Sequence, residues 1–191
     1  MLNELLRKNR SYRSFCPDIK IDRNLLLEFI ENTRAASATM NVQPLKYKIV
    51  TDESDIQKIL PLLRWATALK DIKLPPKGHE PTAFIIICHD ESVIPFSPMF
   101  LKDVGICAEI IMLSAAEAGY GGCMIGSGNP QDIAEALMLP KNLFPQLVLA
   151  LGKPDESVVT EDAADGNTAY YRDENGVHHA PKRLLGDIII D

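Results

Sequence analysis

Apolar positions along the chain change period several times, and each change predicts an element. Residues 2–8 read as a short helix that leads into a basic cluster. Asp22 is a good N-cap for the stretch RNLLLEFIENTR, in which Leu25, Leu26, Phe29 and Ile30 follow helical spacing. The segment YKIV reads as a strand, followed by a helix from about residue 54 toward residue 69. KLPPKGHEP is a loop, because its prolines block regular structure. TAFIIIC is a continuous apolar run, the pattern of a strand buried on both faces. Residues 100–118 form a long helix with apolar side chains nearly all round, which points to burial and suits a subunit interface. Gly119 ends it, and GGCMIG makes a short strand running into a loop. Asn129 or Pro130 starts a further helix through Leu137, and QLVLALG is again a buried strand. Residues 153–172 are polar and irregular, and the terminal DIII has strand character. An apolar strand there is an edge hazard unless it pairs, as it would with a second subunit.

The pattern contains no repeat and no low-complexity tract. Helices and four or five strands alternate irregularly, which predicts one α+β domain over residues 1–191 rather than a regular doubly wound sheet. Composition narrows the function more than the fold. A net charge of -6 argues against a nucleic-acid protein. Cys16, Cys88, Cys107 and Cys123 are scattered, without a C-x-x-C pair or histidines at zinc spacing, and read as reduced thiols. Asn3, Glu4, Arg7 and Lys8 interrupt any signal-peptide core, and Lys102, Asp103, Glu109 and Glu117 exclude a membrane span from the most apolar segment. The expectation is a soluble, cytoplasmic protein.

Familiar motifs fail. GYGGCMIGSGNP misses the G-x-G-x-x-G spacing, and LGKPDE lacks the upstream glycine and following Ser/Thr of a P-loop. There is no G-x-S-x-G elbow and no H-E-x-x-H helix. His178 and His179, taken alone, read as surface residues of a loop. Three polar signals remain, each with a plain alternative. NRSYR offers Arg10, Ser11 and Arg13, whose guanidinium forks and hydroxyl suit a phosphate, or else form a solvated basic turn. SATMNVQPLKY places Asn41 and Gln43 where the backbone is irregular; their amides can read a planar heterocycle, or simply close a turn. HHAPKRLLGD carries a second basic pair, Lys182 and Arg183, either the other half of a phosphate clamp or a solvated tail.

In this order, the segments resemble the nitroreductase family of flavoenzymes over nearly the whole chain. NRSYRSF is similar to the family's R-S-x-R-x-F element, and SATMNVQPLKYKIV to its S-x-x-N-x-Q-P and following strand. DVGICAEIIMLSAAEAGYGGCMIG resembles the central helix and strand, LVLALGKPDE the closing strand and G-x-P turn, and HHAPKRLLGDIII the C-terminal basic pair.

The resemblance implies an α+β, nitroreductase-like fold with a mixed central sheet flanked by helices, working as an intertwined homodimer with FMN in a cleft built from both subunits. It implies that Arg10, Ser11 and Arg13 hold the FMN ribityl and phosphate and that Lys182 and Arg183 complete the clamp. Asn41 and Gln43 would reach the partner's flavin, and Ile125, Gly126 and Ser127 would lie along its N5 edge. A cation near N1 and O2 is expected from Lys70, with Lys73 and Lys77 as rivals; no side-chain acid or base is required. The activity implied is ping-pong hydride transfer from NADH or NADPH through FMN to a nitroaromatic, quinone or similar acceptor. The chain is shorter than better-known members and carries IGSG where several relatives have an acidic residue, and Leu45 where an aromatic is common. Two rivals remain: a flavin-storage protein on the same fold, and an interaction module with no cofactor.

Overall fold

This computed structural model describes residues 2–69 and 72–190. Four strands, β1 (Leu45–Val50), β2 (Ala83–Asp90), β3 (Gly121–Ile125) and β4 (Leu143–Gly152), form a sheet in the order β1-β2-β4-β3. The uninterrupted apolar run of β2 follows from its central place, since both of its faces are covered. On one face Ile85 and Ile87 pack with Ile49, Leu149 and Leu151 beneath α2 (Arg23–Glu31) and α4 (Leu101–Glu117). On the other, Phe84, Ile86 and Cys88 pack with Val50, Val148 and Ala150 beneath α3 (Glu53–Ile59) and α5 (Pro130–Ala136). Each fully buried Ile, Leu or Phe is worth about 1.5–3 kcal/mol, so this helix–sheet–helix sandwich is the main source of stability.

The helix starts follow their caps. The Asp22 carboxylate accepts from the Asn24 N–H at 2.8 Å, and the Asn129 side chain accepts from the Gln131 N–H at 3.0 Å. A short exposed helix, α1 (Leu2–Lys8), precedes the sandwich.

Three expectations need correction. The helix after β1 stops at Ile59 and ends in a 3-10 turn, Leu60–Leu62, because Pro61 cannot supply the N–H that a longer helix needs. Residues 153–172 are not irregular throughout: β5 (Val158–Asp162), β6 (Tyr171–Arg172) and β7 (His178–Lys182) build a second sheet in the order β5-β7-β6. Its hairpin is closed by Asp173, which accepts from the N–H groups of Asn175 (3.0 Å) and Val177 (2.8 Å), with Gly176 at φ +78°. The terminal DIII forms no strand here. Leu185–Asp187 makes a 3-10 turn, and Ile188, Ile189 and Ile190 remain exposed. The α+β class stands as expected, while the central sheet is antiparallel throughout rather than mixed. Parallel pairing occurs at a Ser11–Gly122 bridge on the β3 edge and between β5 and β7.

Candidate functional site

The basic cluster lies against the β3 edge because two glycines let it. Ser11 bridges Gly122, and the Tyr12 N–H donates to the Gly122 carbonyl at 2.9 Å. A Cβ on Gly122 would stand 2.0 Å from the Ala150 carbonyl oxygen, and one on Gly121 would stand 2.6 Å from the Tyr12 ring. Further along, Phe15 is fully buried and bridges Pro154, while the Cys16 N–H donates to the Lys153 carbonyl at 2.8 Å. Asn9 donates to the Glu109 carboxylate of α4 at 2.8 Å. The Glu156 carboxylate accepts from both the Arg13 backbone N–H and the Arg172 guanidinium. These ties bring residues 9–13 and the second sheet together.

Between them lies a cavity of about 350 Å³ lined by Arg10, Ser11, Arg13 and Lys182, with Tyr170, just before β6, and His178 of β7. Arg10 donates from Nη2 to the Leu6 carbonyl at 2.6 Å, while its buried Nε has no partner among the described residues. The Arg13 guanidinium donates to the Ser11 carbonyl at 3.1 Å and stacks over Tyr170 at 5.6 Å. His178 is buried. Desolvation, then the charges of Arg13, Arg172 and His179, hold its imidazole down to about 4.

A second cavity, of about 170 Å³, shares Arg13, Met124 and Tyr170 with the first, so the two form one cleft. Arg64, Trp65, Gly126 and Ser127 also line it. A reciprocal pair of bonds fixes this wall: the Ser127 hydroxyl donates to the Arg64 carbonyl at 2.6 Å, and Arg64 Nε donates to the Ser127 carbonyl at 3.3 Å. One end of the cleft is cationic and suits an anion. The other is walled by Trp65, Met124 and Ile125 and edged by a loop that exposes Gly126.

Gln43 lines a third cavity, of about 160 Å³, with Pro44, Tyr47, Asp103 and Cys107, which shares no lining residue with the cleft. Asn41 is exposed beside it, and Gln43 Nε2 donates to the Asn41 carbonyl at 3.2 Å. Met40, Asn41 and Gln43 all hold positive φ, at 50°, 56° and 54°. Side chains with a Cβ resist this conformation, and such strain concentrates at functional segments.

The structure therefore brings Arg10, Ser11, Arg13 and Lys182 together and sets Ile125, Gly126 and Ser127 alongside them. Arg183 is exposed and lines neither part of the cleft. Lys70 lies outside the described residues; Lys73 and Lys77 are exposed and line neither part, whereas Arg64 does. His178 is the clearest correction, a buried cavity residue rather than a surface one. Sequence reasoning missed it because the second sheet went unread, although Asn175-Gly176 is a hairpin signal and Val158, Val159 and Thr160 are β-branched.

The sequence model of the nitroreductase family matches residues 6–153. The chain belongs to the nitroreductase family. Among curated proteins, it is 24% identical to YdgI of Bacillus subtilis strain 168, assigned as an NAD(P)H nitroreductase, over 88% of this chain and 91% of that one. It is 28% identical to a Cr(VI) reductase of Pseudomonas sp. strain G-1, over 81% and 67% of the two chains. Of solved structures, an FMN-dependent nitroreductase of Clostridium difficile R20291 superposes with TM-score 0.68 at 18% identity, covering 100% of this chain and 98% of that one. A nitroreductase-type protein of Exiguobacterium sibiricum in complex with FMN gives 0.68 at 19% identity, over 82% and 89%. Both show the same fold. Tyr170, His178 and Lys182 lie beyond the residues that the family model matches. No helix among the described residues is long and apolar enough to cross a membrane.

Proposed function

We propose that this nitroreductase-family protein is a cytoplasmic, homodimeric, FMN-dependent oxidoreductase that passes reducing equivalents from NADH or NADPH to a nitroaromatic, a quinone or a comparable oxidised acceptor such as chromate. The observation that carries the reading is the convergence of Arg10, Arg13 and Lys182, from opposite ends of the chain, on one cavity that shares Arg13, Met124 and Tyr170 with a second. The residues fit the cofactor. A buried Arg10 Nε without a partner is costly unless an acceptor arrives, and a phosphate monoester is a matching one.

Bound FMN would supply the hydride chemistry, which no side chain here can provide. The chain's part is to bind and orient. Arg10, Arg13 and Lys182 neutralise the phosphate, with the Ser11 hydroxyl as a further donor. Gly126 and Ser127 give the ring side a backbone surface that the Arg64 bonds keep rigid. Asn41 and Gln43 are exposed and line neither part of their own cleft, as residues serving a partner's site would. The partner's tail has a place to go as well: β1 is an edge strand, and a groove of about 670 Å³ runs along it, lined by Leu27, Ile30, Lys46 and Lys48. Ile188, Ile189 and Ile190 match its apolar floor.

The test is a visible spectrum of the purified protein, followed by anaerobic addition of NADH and then NADPH. Yellow protein bleached by either nucleotide supports the reading and names the donor. Yellow protein bleached by neither indicates flavin storage, and colourless protein that takes up no added FMN refutes it.

A further inference from the structure

His178 opens β7 and is 3% exposed. Its Nε2 stands 3.5 Å from Arg13 Nη1, and its ring packs on Tyr170 at 5.3 Å. A guanidinium can only donate, so Nε2 presents a lone pair and Nδ1 carries the proton. That Nδ1 is buried without a partner among the described residues. Every element packed around the ring contributes charge. Arg13 comes from the β3-edge segment, Arg172 from β6, and His179 from β7 itself. Glu156 is engaged by the Arg13 backbone and by Arg172, and Glu109 by Asn9. Arg10 and Lys182 line the same cavity. The ring is thus a neutral base kept from charging first by its burial and then by the cations around it, and an incoming dianion opposes the second of these.

We propose that His178 is a further phosphate-binding residue, and that entry of the phosphate monoester draws Arg13 off Nε2, which then takes a proton from solvent and donates it in a hydrogen bond to the phosphate. This rests on the FMN reading above. Its consequence is that phosphate binding and proton uptake are linked, with His178 as the coupling group. Riboflavin, which lacks the phosphate, engages none of this.

The test titrates the full-length protein with FMN, following flavin fluorescence quenching, from about pH 7.5 to about pH 5.5, for wild type and His178→Gln. The ratio of the variant's dissociation constant to that of wild type should rise about tenfold over that range, and stay flat with riboflavin. A flat ratio with FMN overturns the proposal. Should the variant fail to fold, the wild type alone decides by NMR of its imidazole C2 protons. One histidine should then titrate at least a full unit higher with ligand bound than without, and its absence overturns the proposal. If wild type binds no FMN at all, the cofactor reading has failed separately, and the same NMR titration with inorganic phosphate still judges His178.

Discussion

Asp103 is the residue whose removal most directly tests how the strained loop is held. It sits on α4, is 3% exposed, and faces Thr39 across the loop that carries Asn41 and Gln43. Its two carboxylate oxygens share the Thr39 backbone N–H, each at 3.0 Å, and one accepts the Thr39 hydroxyl at 2.7 Å. Two donors to a carboxylate are worth about 1.5–3 kcal/mol each, part of which water recovers once the loop loosens. Asp103→Ala is therefore expected to cost about 2–4 kcal/mol in urea unfolding at fixed protein concentration. Thr39→Val, which keeps the N–H bond and loses the hydroxyl, should cost about 1 kcal/mol. The double variant should fall short of the sum by about that amount, because each change removes part of the same contact.

Function should follow. Holding Met40, Asn41 and Gln43 at positive φ costs on the order of 1–2 kcal/mol per residue, and Asp103 is the buried anchor at the loop's start. Released from it, the loop relaxes and Asn41 and Gln43 lose their set positions. Flavin affinity in Asp103→Ala should then drop about tenfold even though Asp103 lines neither part of the cleft. A loss of stability under 0.5 kcal/mol in Asp103→Ala, roughly the scatter of ordinary surface substitutions, would refute the reasoning.

Three further outcomes are expected. Arg10→Ala and Lys182→Ala should each weaken FMN binding about 10–100-fold, the worth of one charge-assisted bond, measured by fluorescence quenching; unchanged affinity in both would end the phosphate assignment. Gly122→Ala forces a Cβ to within 2.0 Å of the Ala150 carbonyl and should lower Tm by roughly 5–12 °C in calorimetry. Stability should also fall as pH drops from 6.5 toward 4: the unfolded chain charges His178 in that window, while the folded chain keeps it neutral down to about 4. The upper bound on this loss is about 3 kcal/mol. His179, whose proton is favoured by Glu161 and then Asp173, contributes in the opposite sense and loses its stabilising effect as pH rises. His178→Gln should accordingly flatten the acid side of the profile, and an unchanged profile would count against the buried neutral ring.

The central sandwich was legible because its signals are local and strong. Asp22 and Asn129 cap where side-chain chemistry says they should, and the continuous apolar run TAFIIIC has the pattern of a strand covered on both faces. The grouping of Arg10, Ser11 and Arg13 on one cavity was legible as a motif, and the phosphate clamp is the role proposed for it. The second sheet was not. Its strands are short, rich in Glu, Asp and His, and held by side-chain bonds such as Glu156 to Arg172 and Tyr171 to Glu161 rather than by an apolar stripe. Periodicity therefore carries no signal there, and His178 was misread with it. The tail is a different case: Ile188, Ile189 and Ile190 are expected to pair with a second subunit, and within one chain they form no strand.

The placement of acids shows how an acidic chain keeps a cationic cleft. Glu156 takes the Arg13 backbone N–H, not its guanidinium, so the cation is left to the Tyr170 ring and the His178 nitrogen. Glu156 does pair with Arg172, but that pair is almost wholly buried and braces the second sheet against the β3 edge. A carboxylate placed on Arg13 itself would be more stabilising to the free protein and would consume the charge that a phosphate needs. The half-buried Arg10 and the neutralised His178 carry the same cost, since unsatisfied polar atoms in a partly desolvated cleft weaken the unliganded fold. A ligand that satisfies them returns that free energy as affinity, and stabilises the protein by mass action in proportion to it. On the proposed reading, the basic cluster near the N-terminus is thus a local sacrifice of stability that a bound anion repays.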